Sequence, residues 1–131
     1  MLRLTLPIVA LCLCLAAPAW SQEKGDYAAV AANAEGSLLV RWGKTKEEAR
    51  QRASRACENS SRTCTSDPAS TNDLDDVFAY LCCTKPRFSC VSPPHENRAA
   101  AEKAARELAA KLKMSDCKVR AYFSARNGKK L

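Results

Sequence analysis

Cys57, Cys64, Cys82, Cys83, Cys90 and Cys117 are the residues of this sequence best suited to chemistry, and three uses are open to them. Thiolates hold zinc, exchange electrons, or join in pairs. Zinc ribbons use paired Cys-x-x-Cys units, and the sequence contains none. A thioredoxin-like exchange calls for the same unit. The lone histidine, His95, has no partner at ligand spacing. Cys82 and Cys83 are adjacent, and a bond between them would strain the peptide that links them. Neighbouring side chains on a strand point to opposite faces, so these two should reach different partners. The cysteines therefore read as structural disulfides, with no metal and no cofactor expected. The sequence does not choose among their many possible pairings.

Other catalytic groups are scarce. His95 follows Pro93 and Pro94 and reads as a surface residue, while Ser92 is better used as a helix cap. No Gly-x-Ser-x-Gly elbow and no phosphate-cradling glycine loop occurs. Glu58 and Glu96 have no aspartate at a spacing that singles out a sugar-cleaving pair. Asp73, Asp75 and Asp76 do not fit the twelve-residue calcium loop, which also needs a central glycine and a distal glutamate. The chain is not expected to be an enzyme.

The first residues, MLRLTLPIVALCLCLAAPAWSQ, combine an early arginine, an apolar run from Leu4 to Ala17, and small residues at Ala17, Ala19 and Ser21. That order is a secretory signal peptide, expected over 1–21 with cleavage after Ser21. The run is shorter than the roughly 20 residues that a spanning helix needs. Cys12 and Cys14 leave with it, and six cysteines remain in the expected mature chain of 22–131. An even number in a small exported chain is a disulfide framework. A single small disulfide-bonded domain, periplasmic or secreted, with no transmembrane segment after cleavage, is the expectation. Richness in alanine and arginine points to a bacterial source.

The elements that must position these cysteines follow from the pattern. YAAVAANAEGSLLV, from Tyr27 to Val40, reads as a hairpin around the turn cluster Asn33 to Gly36. Leu38, Val40 and Trp42 share one face of its second strand. Thr45 and Glu48 form a capping box for a helix whose Ala49, Ala53 and Ala56 face inward, with Cys57 beside them. Residues 58–76 are polar and read as a loop. Val77 to Cys83 and Arg87 to Val91 read as a second hairpin around Lys85 and Pro86. That register puts Cys83 and Cys90 on one face and Cys82 on the other, with Phe78 and Tyr80. Ser92 is expected to cap a second helix from Pro93 to Lys113, with Ala101, Ala104, Ala105, Leu108 and Leu112 as its apolar stripe. CKVRAYFSAR then alternates as a last strand. Cys117, Val119, Ala121, Phe123 and Ala125 face one way, and Lys118, Arg120, Tyr122, Ser124 and Arg126 the other. The fold class is α+β: a mostly antiparallel sheet in the order hairpin, helix, hairpin, helix, strand, with both helices on one face.

With hairpin, helix and cysteines placed, YAAVAANAEGSLLVRWGKTKEEARQRASRAC resembles the domain of unknown function 4189, a family of small exported bacterial proteins. The features that carry the resemblance are Tyr27-Ala28-Ala29, the Gly36 turn, Trp42-Gly43 and the alanine-spaced helix that closes on Cys57. Asp116-Cys117-Lys118-Val119 is similar to that family's strand-opening cysteine. The resemblance implies a small exported α+β domain and brings no activity with it.

Charge is the remaining signal. The formal net charge is +7, and loss of the leader with Arg3 lowers it by one. The excess is concentrated after Lys85. Lys118, Arg120 and Arg126 around Tyr122 would make a basic sheet face for an anionic partner: an acidic protein, lipid headgroups or a cell-wall polymer. Export removes the chain from nucleic acid. The expectation is an exported, non-catalytic envelope protein that binds an anionic partner. The alternative is an inhibitor or immunity-type protein that blocks an enzyme or toxin, presenting the loop from Ser60 to Asp76 on a rigid scaffold.

Overall fold

The computed structural model describes residues 25–33, 37–65 and 68–131. The expected leader, 1–21, and the turn residues 34–36 lie outside them. Tyr27–Ala32 (β1) pairs antiparallel with Leu38–Gly43 (β2) on one side and with Ala69–Thr71 (β3) on the other. Helix α1, Lys46–Glu58, connects β2 to β3. The order in this sheet is β2-β1-β3. The polar stretch expected to be a loop thus contains a strand. Ser70 and Thr71 sit on a half-buried edge, where their composition carries no strand signal.

The second half repeats this plan. Val77–Lys85 (β4) is flanked on one side by Ser89–Val91 (β5) and Pro94–His95 (β6), and on the other by Ser115–Ser124 (β7). Helix α2, Arg98–Lys111, connects β6 to β7. In each half the first strand is central, the next one or two lie on one edge, and the chain returns through a helix to the other edge. The helices also match in phase. Thr45 and Asn97 are the N-caps, accepting from Glu48 N and Ala100 N at 3.1 and 2.8 Å. Four residues after each cap the buried series begins: Ala49, Ala53 and Cys57 in α1, Ala101, Ala105 and Ala109 in α2.

The α+β class and the antiparallel pairing are as expected. The helices, however, do not share one face of one sheet. There are two sheets, and each carries its own helix. Ala29 and Ala31 of β1 pack under α1; Ala79, Leu81 and Cys83 of β4 pack under α2. The alternate residues, Ala28 and Val30 of β1 with Val40 of β2, meet Phe78 of β4, and Ala32 meets Tyr80 and Cys82. The layers run helix, sheet, sheet, helix. Two connections hydrogen-bond across them: Trp42 Nε1 to Ala125 O at 2.8 Å and Tyr80 Oη to Asn33 O at 3.4 Å. Helix and strand approach closely because the residues between them are small. A Cβ on Gly43 would lie 2.5 Å from the Ala49 nitrogen.

Other expectations need correction. Helix α2 starts after Asn97, not at Pro93, because Pro94 and His95 continue as strand beside Phe78 and Val77. Its inward stripe is all alanine, and Leu108 and Leu112 are exposed; only the smallest side chains fit against the sheet. In α1, Cys57 rather than Ala56 completes the buried series.

Candidate functional site

The cysteines close as Cys57–Cys64, Cys82–Cys90 and Cys83–Cys117. The neighbours Cys82 and Cys83 do reach different strands. Cys90, expected beside Cys83, instead faces Cys82, because the β4–β5 register sets Cys82 directly opposite Cys90. With these bonds made, none of the six offers a thiolate for catalysis. His95 is exposed in β6, its Nδ1 accepting from Glu96 N at 3.1 Å. Among the described residues no group of three metal-ligating side chains converges.

What the fold builds instead is an overhang. Strands β4 and β7 run for 9 and 10 residues, whereas β1 and β2 run for 6 each. The first sheet covers Phe78, Tyr80 and Cys82 and ends there. Beyond it the same inner face of the second sheet is open. A concavity of about 620 Å³ lies on it, lined by Thr84, Phe88, Asp116, Lys118 and Arg120 and floored by Cys82. Arg120 lays its guanidinium over the Phe88 ring, 5.3 Å from the centroid. Phe88 is 41 % exposed, the large aromatic on an otherwise polar ledge.

Asp116 pairs with Lys85 at 3.3 Å. Arg52, Arg106 and Arg126 pair with Glu48, Glu102 and Asp75. Lys118 and Arg120 have no carboxylate partner among the described residues. Arg120 also lowers the Tyr80 hydroxyl's pKa somewhat, against the burial that raises it above the ordinary tyrosine value.

The residues expected to form one basic face are separated by a single irregularity. The β4–β7 register shifts between Leu81, opposite Val119, and Tyr80, opposite Ala121, so Arg120 is an extra residue. Before this bulge Cys117 and Val119 face α2; after it Tyr122 does, and Phe123 turns to the inner core. Tyr122 thus lies on the opposite face from Lys118 and Arg120. It donates to Glu102 Oε2 at 3.2 Å, beneath Arg98. Arg126 lies in the turn after β7 ends at Ser124 and is bound to Asp75. Lys118 and Arg120 remain together; Tyr122 and Arg126 belong elsewhere. Sequence reasoning missed Phe88 as a site residue. Its signal was the Pro-Arg-Phe at a hairpin tip, where a large aromatic has no reason to be buried.

Around Tyr122 a second polar cluster closes on itself. Glu102 accepts from Arg106 Nε and Nη2 at 3.1 and 2.8 Å, which holds its carboxyl below the ordinary range, aided by Tyr122. Burial first, then the Glu102 carboxylate, raises the Tyr122 hydroxyl. Its charges are mutually satisfied.

No protein-family model, no curated protein and no solved structure matches this chain.

Proposed function

We propose that the chain is an exported, non-catalytic envelope protein, periplasmic or secreted and distantly kin to the domain of unknown function 4189. Its role is to bind an anionic partner on the ledge formed by Lys118, Arg120 and Phe88. The observation that carries this reading is the adjacent pair of cations, without a carboxylate partner among the described residues, on an uncovered stretch of sheet. Arg52, Arg106 and Arg126 are paired with carboxylates; these two stand beside an exposed ring, over a frame fixed by Cys82–Cys90 and Cys83–Cys117. A rigid frame lowers the ordering cost of binding. The stacked guanidinium keeps its edge N–H groups free to fork onto a carboxylate or phosphate.

The test is retention of the oxidised protein on anionic envelope polymer at low and high salt. Retention should be salt-sensitive, as contacts between exposed charges are. Lys118→Ala with Arg120→Ala should weaken it by about tenfold or more. Arg126→Ala should leave it unchanged, because that guanidinium already serves Asp75. Equal losses from all three would point to net charge alone and end the ledge reading.

The inhibitor reading has less support. Two acids of its loop are engaged: Asp75 by Arg126, and Asp76 by Thr71 Oγ1 at 2.6 Å.

A further inference from the structure

The ledge borders an open sheet edge, and the backbone there is set for another strand. Strand β7 ends its sheet, with β4 on one side only. Cys117 and Cys83 are directly opposite with Cα atoms 3.9 Å apart. Antiparallel residues that close form the non-hydrogen-bonded kind of pair, whose own N–H and C=O groups point away from each other. Those of Cys117 therefore point to the free edge, and so do those of Val119, two residues on.

Farther along, the same edge is already filled. The C-terminal residues pair with it: Leu131 N donates to Tyr122 O at 2.8 Å, and Ser124 N donates to Lys129 O at 2.9 Å. Phe123 forms the bridge with Lys130 between them. The outward residues are thus Ser124 and Tyr122, taken by the tail, then Val119 and Cys117 beyond the bulge at Arg120. Part of this edge accepts a strand within the chain itself; the remainder, Cys117–Ala121 beyond the left-handed Asp116 at φ 55°, has none among the described residues.

The side chains say which strand. Lys118 and Arg120 rise from this stretch on the ledge face and lack carboxylates. A strand added about 4.8 Å away would set alternate side chains on that same face beside them. Building on the ledge reading above, we propose that the partner is an extended acidic peptide. It adds along Cys117–Ala121, hydrogen-bonds Cys117 and Val119, and places carboxylates at alternate positions against Lys118 and Arg120. A second copy of this edge is a poor occupant, since it would bring two Lys118–Arg120 sets together, and like charges across strands repel. Lysine and a bulge are also what guards an edge against its own kind. An acidic strand turns that guard into selectivity.

The experiment uses the full oxidised chain and four probes. The first is a capped octapeptide of alternating Glu and Thr. The second is the same peptide N-methylated at the residues that would face β7. Polyphosphate and anionic lipid vesicles are the charge-only probes. The alternating peptide should bind and slow amide exchange at Cys117 and Val119. N-methylation should weaken it about tenfold or more, the loss of two hydrogen bonds at constant charge. Lys118→Ala with Arg120→Ala should weaken it by a similar factor, and Lys118→Glu should do the same with folding checked by melting. If the N-methylated peptide binds equally, or polyphosphate or vesicles bind as well while those amides exchange freely, strand addition is overturned and the ledge stands. If no anionic probe binds, both readings fall.

Discussion

Cys117 stands directly across the β4–β7 ladder from Cys83, and the bond between them joins the ends of a 34-residue span of sequence. That span contains β5, β6 and all of α2. The other two bonds close spans of 7 and 8 residues. In the chain-entropy picture the longest loop restricts the unfolded chain most. Its removal should cost about 4 kcal/mol, against about 2.5 kcal/mol for either short one. Denaturant titration of three paired Cys→Ala variants measures the order. A Cys82/Cys90 variant less stable than the Cys83/Cys117 variant would contradict it.

Gly43 is where α1 comes down on its sheet. An added Cβ would meet the Ala49 nitrogen at 2.5 Å and the Glu48 carbonyl carbon at 2.9 Å, both backbone. Neither can swing aside, so helix and strand must separate. Gly43→Ala should cost about 1–3 kcal/mol, the range for overpacking. Because α1 is held there by Arg52, which donates to Trp42 O at 2.7 Å, that contact should loosen too. A melting temperature equal to that of the unaltered protein would show the packing to be softer than this.

What could be read from the sequence and what could not divides along physical lines. Thr45, Glu48 and Arg52 act locally, and their cap and ion pair form as the spacing implies. Leu38, Val40 and Trp42 do share a face. The divergence of Cys82 and Cys83 follows from strand geometry alone. The bulge at Arg120 was hidden, because CKVRAYFSAR alternates without fault and a one-residue slip leaves no mark in composition. That slip alone moved Tyr122 off the basic face. Strand β3 was hidden for another reason. It is three residues of Ala, Ser and Thr, stabilised by pairing with β1 rather than by its own propensity. The division into two sheets was likewise nonlocal: both faces of β1 and β4 are apolar, which permits a helix on one side and a sheet on the other.

Lys113 ends α2 in the left-handed region, at φ 57°. Met114 N reaches back to Ala109 O at 2.9 Å and Lys113 N to Ala110 O at 3.1 Å, the double closure of a Schellman motif. Glycine usually fills this position because a Cβ there crowds the following carbonyl, at roughly 1–2 kcal/mol for an L-residue. Lys113→Gly should therefore stabilise the protein by about 1 kcal/mol, after the extra freedom of glycine in the unfolded chain is set against it. Thermal unfolding measures it. A lower melting temperature would mean that the Lys113 side chain makes a contribution larger than its backbone strain.

Tyr80 gives the protein an alkaline limit. Its side chain is 1 % exposed between the two sheets, and burial raises its hydroxyl above the ordinary value of 10.0, with Arg120 opposing weakly. As pH climbs past that value, the unfolded chain releases this proton while the folded chain keeps it. The unfolded state then binds fewer protons, so stability falls with rising pH until the raised folded value is passed. Tyr122, raised by burial and by Glu102, adds to the same slope. Tyr80→Phe should cost about 1 kcal/mol near neutrality, where the hydrogen bond to Asn33 O is lost. Above the tyrosine range the variant should decline less steeply than the unaltered protein, and the two stabilities should converge. Urea midpoints taken from neutral pH to beyond the tyrosine range trace both curves. Parallel curves would show that Tyr80 ionises in the folded protein as readily as in the unfolded one, and that the interface between the sheets admits water.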